Sequence, residues 1–161
     1  MCGIAGFWFK SNVPGTAQQW LKDSVTSLHH RGPDDSGLWF DSGVGLGHAR
    51  LSILDLSPLG HQPMASRNGH WVMVFNGEVY NFREIRKDLE MLGHTFFGTG
   101  DSEVVLEAFA EWGPGAVRRF VGMFAIALWS KVDRRLYLLR DRLGVKPLYY
   151  GWNGNSLWFG S

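Results

Sequence analysis

Short apolar runs separated by turn-forming residues dominate the hydropathy pattern of this chain. Runs of this kind, rich in β-branched and aromatic residues, are typical of β-strands. Strands are predicted at residues 4–9, 38–40, 44–53, 71–75, 123–129, 135–140, 149–152 and 156–159. Asp41-Ser42-Gly43 and Asn153-Gly154-Asn155 are turn signals between consecutive strands, and Asn76-Gly77 is expected to end the strand at 71–75. Strands joined by such tight turns favour antiparallel sheets.

Three other segments carry apolar residues at the three- and four-residue spacing of an amphipathic helix. These positions are Ala17, Trp20, Leu21, Val25 and Leu28; Phe82, Ile85, Leu89 and Leu92; and Val105, Ala108, Phe109 and Trp112. The first helix is expected over 16–29. Gly93 stands where a glycine commonly ends a helix, and Asp101 or Ser102 can cap the third helix. Helices covering the outer faces of antiparallel sheets define an α+β layered sandwich.

Composition narrows the class of protein. A chain of 161 residues with 45% hydrophobic content is long and apolar enough for one domain with a real core. The net charge of +1 argues against a nucleic-acid partner. No signal-peptide pattern is visible, and the longest apolar stretch, 123–129, is too short to cross a bilayer. We therefore expect a cytoplasmic protein without a membrane partner.

The lone cysteine, Cys2, follows Met1 directly. Removal of Met1 would leave a thiol and a free α-amine on one residue. An α-amine with a pKa of about 7.7–8.0 can take the thiol proton, so that nucleophile and base come from the same residue. The alternative is a small, buried apolar cysteine. With one cysteine, no internal disulfide can form, and nothing indicates an oxidising compartment.

Asn76 and Gly77 are candidate oxyanion donors through a side-chain amide and a backbone N–H. The alternative is a tight turn, since Asn-Gly is the strongest short turn signal. Arg50 lies in an apolar segment and could bind a substrate carboxylate with its planar fork, or pair with a structural aspartate such as Asp55.

Two acidic residues are candidates for binding the ammonium group of a substrate. Glu78 follows Asn76-Gly77, and Asp101 precedes a predicted helix that it could equally cap. HRGPDD at 30–35 could suggest a metal site, but we favour a turn held by charge pairs, and no metal site is expected. RDRLG at 140–144 is interpreted as a structural ion-pair turn. Evenly spaced glycines at 43–47 do not form a dinucleotide motif.

Seven segments together resemble the glutaminase domain of class II glutamine amidotransferases. They are MCGIAGF at the start, HRGPDDSG at 30–37, GLGHARLSILDLSPLGHQPM at 45–64, FNGEVYNFREIR at 75–86, GTGDSEVVLEAFAEWG at 98–113, FVGMFAIALW at 120–129 and RDRLGVKPLYYG at 140–151. The chain is most similar to the N-terminal half of glutamine-hydrolysing asparagine synthetases. The resemblance covers nearly the whole chain, in order.

This resemblance implies a four-layer αββα sandwich of two antiparallel sheets, of the N-terminal-nucleophile hydrolase type. It also implies a set of site residues. These are Cys2 as nucleophile, Asn76 and Gly77 as oxyanion hole, Arg50 for the glutamine α-carboxylate, Glu78 and Asp101 for its α-amino group, and Leu51 and Ile53 on a strand whose backbone lines the pocket.

The implied reaction is hydrolysis of L-glutamine to glutamate and ammonia through a γ-glutamyl thioester, after Met1 removal. The ammonia would go to a synthetase domain in the same protein or in trans. We expect residues 1–161 to be a glutaminase domain truncated at its C-terminus, with ATP and Mg²⁺ needed only by the absent synthetase domain. A homodimer is left open. The alternative is a non-catalytic glutamine-binding or interaction module. A papain-like thiol protease is disfavoured because its signatures are missing.

Overall fold

The structure is a computed structural model that describes residues 1–11 and 13–161. The strands are β1 (Gly3–Phe9), β2 (Asp35–Asp41), β3 (Val44–Arg50), β4 (Met64–Ala65), β5 (Trp71–Val79), β6 (Gly122–Ser130), β7 (Arg135–Arg140), β8 (Tyr149–Asn153) and β9 (Ser156–Gly160). The α-helices are α1 (Ala17–Ser27), α2 (Phe82–Met91) and α3 (Asp101–Trp112), and short 3₁₀ helices cover Pro58–Gly60 and Gly113–Arg119. None of the described helices is long and apolar enough to cross a bilayer.

The strands form two antiparallel sheets. One has the order β2-β3-β1-β9-β8 and the other the order β4-β5-β6-β7. In the first sheet, Ile4 of β1 lies opposite His48 of β3. In the second, Asn76 of β5 lies opposite Ala125 of β6. These registers place the start of β1 and the end of β3 side by side.

Buried apolar side chains define four layers. Between the sheets pack Ile4, Val44, Leu46, Val72, Val74, Ala125, Ala127, Trp129 and Phe159. On the outer face of the first sheet, α1 packs through Leu21 against Phe7. On the outer face of the second, α2 and α3 pack through residues such as Leu89 and Phe109. Each large side chain removed from water contributes about 1.5–3 kcal/mol before entropy is counted. The predicted αββα sandwich is therefore confirmed.

Most predicted elements are confirmed, but three strand ends are wrong and the two-residue strand β4 was not predicted. β2 begins at Asp35, three residues before its predicted start. β3 ends at Arg50, so residues 51–53 are not strand. β5 continues through Asn76-Gly77 to Val79, so this dipeptide is not a turn. The extended conformation persists because β6 pairs with β5 as far as Gly122 opposite Val79. Long-range pairing here outweighs the local turn preference of Asn-Gly.

The turn at 140–144 is structural, as predicted, but an ion pair does not hold it. The Asp141 carboxylate accepts backbone N–H groups of Phe124, Leu143, Val145 and Lys146. These bonds lower the pKa of Asp141, although its desolvation acts in the opposite direction. Arg140 donates instead to the carbonyls of Gly144 and Lys146. The segment at 30–35 was expected to be a turn held by charge pairs. Its last residue, Asp35, begins β2, and its carboxylate lies 2.7 Å from His61 Nδ1, outside the segment.

Candidate active site

A cavity of about 300 Å³ lies where the start of β1, the end of β3 and the second half of β5 meet. Its volume is at the small end of the range for ligand pockets, suited to a ligand of amino-acid size. Every candidate residue lines this one cavity. They are Cys2, Arg50, Leu51, Ile53, Asn76, Gly77, Glu78 and Asp101. The chain folds so that residues from four separate segments converge there.

Cys2 is positioned at the cavity by β1, which begins at the next residue. Its Sγ lies 3.4 Å from the backbone nitrogen of Leu51, which donates to it, and 3.6 Å from the Leu51 carbonyl oxygen. Arg31 holds the Cys2 carbonyl oxygen with its Nε at 3.1 Å. Cys2 is only partly buried, so the interpretation as a buried apolar residue is wrong. Met1 also lines the cavity.

The edge of β5 that faces away from β6 carries three successive N–H groups, those of Phe75, Gly77 and Val79. Backbone groups alternate in direction along a strand, so these three point the same way. The Phe75 N–H donates to Gln62 Oε1 at 2.6 Å, and the Val79 N–H donates to Asp101 Oδ2 at 2.9 Å. No side chain in the described part of the chain accepts the Gly77 N–H. That N–H is therefore open to a ligand in the cavity.

Asn76 supplies a second free donor. Its side chain continues the face of β5 on which Val72 and Val74 pack between the sheets, and it is 1% exposed. The amide nitrogen Nδ2 is buried and has no hydrogen-bond partner among the residues that the structure describes. An unsatisfied buried donor costs about 1–3 kcal/mol. Such a group in a native structure calls for an explanation, and a catalytic role is one of them.

Arg50 brings a positive charge to the cavity while only 7% exposed. Its guanidinium donates to the carbonyl oxygens of Ser57, at 3.0 Å, and Asp55. The alternative considered for Arg50, an ion pair with the Asp55 carboxylate, is absent from the described structure. That carboxylate instead accepts from the backbone nitrogens of Ser57 and Thr99, and hydrogen bonds from these residues lower the pKa of Asp55 to about 2. The charge on Arg50 therefore remains available for the carboxylate of a ligand.

Asp101 is 5% exposed and faces the cavity from the first residue of α3. Burial raises its pKa to about 6, the Glu78 charge adds to this effect, and the hydrogen bond from Val79 opposes it. The alternative that Asp101 or Ser102 is the cap residue of α3 is not observed, because Gly100 is the cap residue and the Asp101 carboxylate reaches β5. Two acids beside one arginine suit an ammonium and a carboxylate on the same ligand.

Leu51 and Ile53 line the cavity from a loop rather than from the predicted strand. The loop begins where β3 ends, and the backbone of Leu51 contacts the Cys2 sulfur. The side chain of Ile53 is largely solvent-exposed, with 62% of its surface accessible. Arg50 holds this loop by donating to the carbonyl oxygens of Asp55 and Ser57. Asp34 also holds it, because its carboxylate accepts the Ser52 N–H at 2.7 Å.

Sequence reasoning missed three buried polar residues near the site: His48, Gln62 and Lys146. Gln62 and Lys146 line the cavity, and His48 contacts the backbone of β5. Asp141 and Arg140 hold the backbone N–H and C=O of Lys146, so the turn at 140–144 positions this lysine. These residues lie in the segments at 45–64 and 140–151 that carry the family resemblance. Their roles could not be predicted, because their contacts join segments that are distant in the sequence.

Comparison with known proteins identifies the family of this chain. Residues 1–161 match the family described as "Glutamine amidotransferase domain". The chain is 40% identical over its full length to asparagine synthetase [glutamine-hydrolyzing] 3 of Bacillus subtilis, and it covers 26% of that protein. It is 36% identical, again over its full length, to a putative asparagine synthetase [glutamine-hydrolyzing] 2 of Methanocaldococcus jannaschii, covering 34% of it.

Among solved structures, the glutamine phosphoribosylpyrophosphate amidotransferase of B. subtilis superposes with a TM-score of 0.78 at 18% identity. The superposition covers 99% of this chain and 41% of that one, and it confirms the N-terminal-nucleophile hydrolase fold. This chain belongs to the glutamine amidotransferase domain family. It spans about a quarter to a third of the length of the curated relatives described above.

Proposed function

We propose that this domain hydrolyses the side-chain amide of L-glutamine to glutamate and ammonia. The observation that carries the proposal is the pair of free donors, Asn76 Nδ2 and the Gly77 N–H, in the same cavity as the Cys2 thiol. Donors held in place before reaction stabilise the oxyanion that forms when an amide is attacked. Membership of the glutamine amidotransferase family supports glutamine as the amide.

The reaction begins with removal of Met1, which frees the α-amine of Cys2. This amine takes the thiol proton, and the thiolate forms a bond to the amide carbon of glutamine. The negative charge that develops on the amide oxygen is stabilised by hydrogen bonds from the Asn76 side-chain amide and the Gly77 N–H. The protonated amine then gives its proton to the leaving nitrogen, the carbon–nitrogen bond breaks, and ammonia departs. Water attacks the γ-glutamyl thioester, releasing glutamate and restoring the thiol.

Substrate orientation follows from the charges in the cavity. The Arg50 guanidinium binds the α-carboxylate, and Glu78 and Asp101 bind the α-ammonium. These contacts hold the side-chain amide towards Cys2. The backbone of Leu51 and the side chain of Ile53 form the adjoining wall.

We propose that the ammonia is passed to a synthetase domain, in the same protein or in trans, because the relatives named above are glutamine-hydrolysing asparagine synthetases. Asparagine synthesis is accordingly the proposed parent activity, in the cytoplasm. ATP and Mg²⁺ would be required by that domain only, and this domain would hydrolyse glutamine without a cofactor.

A direct assay tests the proposed reaction. The purified protein is incubated with glutamine or with asparagine, and glutamate or aspartate and ammonia are quantified. We expect equal amounts of glutamate and ammonia from glutamine, and little turnover of asparagine, whose amide is one methylene nearer the charged groups. Glutamine binding without turnover would instead support the non-catalytic module.

Replacing Arg50 by lysine is expected to raise the KM for glutamine by about 10–100-fold, with a smaller effect on kcat. A lysine ammonium cannot bind a carboxylate with two parallel bonds while keeping the carbonyls of Ser57 and Asp55. Steady-state kinetics measure the change, with Arg135→Lys on β7 as a matched control. An unchanged KM in Arg50→Lys would contradict the assignment.

Glutamine binding is expected to weaken as the pH falls through about 6, the pKa of Asp101. The ionised carboxylate binds the ammonium, and the protonated carboxyl does not. Below this pH, the Kd should therefore rise by up to about tenfold per pH unit. Calorimetric titration of the Cys2→Ala protein between pH 5 and 7.5 measures the Kd without turnover. In the same background, Asp101→Asn should bind glutamine weakly, with a Kd that does not change with pH. A pH-independent Kd in the Cys2→Ala protein that keeps Asp101 would refute the role of Asp101 in binding the ammonium.

A further inference from the structure

Two buried polar side chains hold the backbone of Phe75, the residue before Asn76. Gln62 Oε1 accepts the Phe75 N–H at 2.6 Å, and the Phe75 carbonyl oxygen lies 3.1 Å from His48 Nε2. A carbonyl oxygen can only accept, so His48 Nε2 carries the proton and donates. His48 is fully buried and Gln62 nearly so.

These contacts occur on the edge of β5 that faces away from β6, at a point where no strand of the described residues pairs with it. β4 is only two residues long and pairs with Val72 and Met73. Beyond that point, the N–H and C=O of Phe75 lie on an open edge inside the protein, where each unsatisfied group would cost about 1–3 kcal/mol. A longer β4 would satisfy them, but it would also cover the Gly77 N–H, which lies on the same edge. Single side chains satisfy Phe75 and leave Gly77 open.

The protonation state of His48 fits this use. Burial lowers its pKa to about 4, so the ring is neutral at working pH and has one N–H to donate. Its other nitrogen, Nδ1, is buried and has no hydrogen-bond partner among the described residues. The bond to Phe75 therefore determines which nitrogen carries the proton. A neutral ring provides the hydrogen bond without a second positive charge beside Arg50.

We propose that His48 and Gln62 are positioning residues for the oxyanion-binding group. By holding the C=O and N–H of Phe75, they fix the strand segment that presents Asn76 and Gly77. An oxyanion donor must lie about 2.7–3.1 Å from the developing charge, and small displacements at such sites lower the rate steeply. This inference rests on the proposed glutamine hydrolysis.

Paired variants of each residue separate positioning from packing. His48→Met removes the donor at similar volume, and His48→Gln offers an amide donor near the Nε2 position. We expect kcat for glutamine to fall at least about tenfold in His48→Met, with KM within about threefold, and to recover largely in His48→Gln. Gln62→Met and Gln62→Glu form the equivalent pair, without and with an acceptor oxygen.

A double-mutant cycle with Asn76→Ala tests whether His48 acts through Asn76. If it does, His48→Met should lower kcat by a clearly smaller factor once Asn76 is already alanine, since only the effect on the Gly77 N–H then remains. Equal effects in both backgrounds would overturn the proposal. If His48→Met does not fold, as judged by thermal unfolding, Gln62→Met enters the same cycle. Loss of folding in both methionine variants would also overturn it, in favour of a purely structural role.

The outcome is distinguishable from failure of the proposed function. If the unmodified protein, with Met1 removed, does not hydrolyse glutamine, the proposed function itself is wrong. If the unmodified protein is active and His48→Met matches it in kcat, only the positioning role is wrong.

Discussion

Replacing Cys2 by alanine is expected to abolish glutamine hydrolysis, lowering kcat by a factor on the order of 10⁴ or more, while glutamine still binds. The reason is that Cys2 supplies the attacking sulfur, whereas the groups assigned to substrate binding lie on other elements. Arg50 ends β3 and Asp101 begins α3. Ammonia release measures the loss of turnover, and calorimetry measures the Kd for glutamine.

Cys2→Ser is the matched variant, since it keeps the α-amine and a weaker nucleophile in almost the same volume. We expect it to bind glutamine as Cys2→Ala does and to turn over slowly at most. Activity in Cys2→Ala within tenfold of the unmodified protein would show that the nucleophile lies elsewhere.

Replacing Asn76 by alanine is expected to lower kcat by about 10²–10³-fold with little change in KM. The amide donates to charge that develops only after attack, so its loss affects the transition state more than glutamine binding. Stability should fall little or not at all through lost hydrogen bonding, because Nδ2 has no partner in the described structure. Steady-state kinetics and thermal unfolding measure the two effects separately.

Asn81 serves as a control for Asn76, because its side chain is hydrogen-bonded within the protein and lies outside the site. Its side chain accepts the Val121 N–H at 2.9 Å and donates to the Arg119 carbonyl at 3.0 Å. Asn81→Ala should therefore cost about 1–3 kcal/mol of unfolding free energy and leave kcat nearly unchanged. Should Asn76→Ala lose stability and keep its kcat, the oxyanion assignment would be wrong.

The hairpins and helices could be predicted because their signals are local. Gly93, with φ of +95°, and Gly154, with φ of +58°, lie where glycine signals placed a helix end and a turn. The Asn76-Gly77 turn failed for the opposite reason, since pairing with β6 decides the conformation there. Gly77 is needed instead for close packing, because a Cβ would lie 2.3 Å from the carbonyl oxygen of Met123.

The candidate site was predictable in its residue types but not in its contacts. Cys2 was notable by its position and Arg50 by its apolar neighbours. That Arg50 binds backbone carbonyls, and that Asp101 reaches Val79, depends on how distant segments meet in space. The same holds for Gln62 and its bond to Phe75. Such contacts leave no periodic pattern in the sequence.

Cys2, freed of Met1, is assigned as the nucleophile, and mass spectrometry tests this assignment most directly. The purified protein is treated with an electrophilic glutamine analogue, with and without excess glutamine, and its intact mass is measured. We predict a mass lower by one methionine residue and a single label, located on Cys2 by peptide mapping and prevented by glutamine. Glutaminase activity in protein that fully retains Met1, or a glutamine-protected label on another residue, would show that the assignment of Cys2 is wrong.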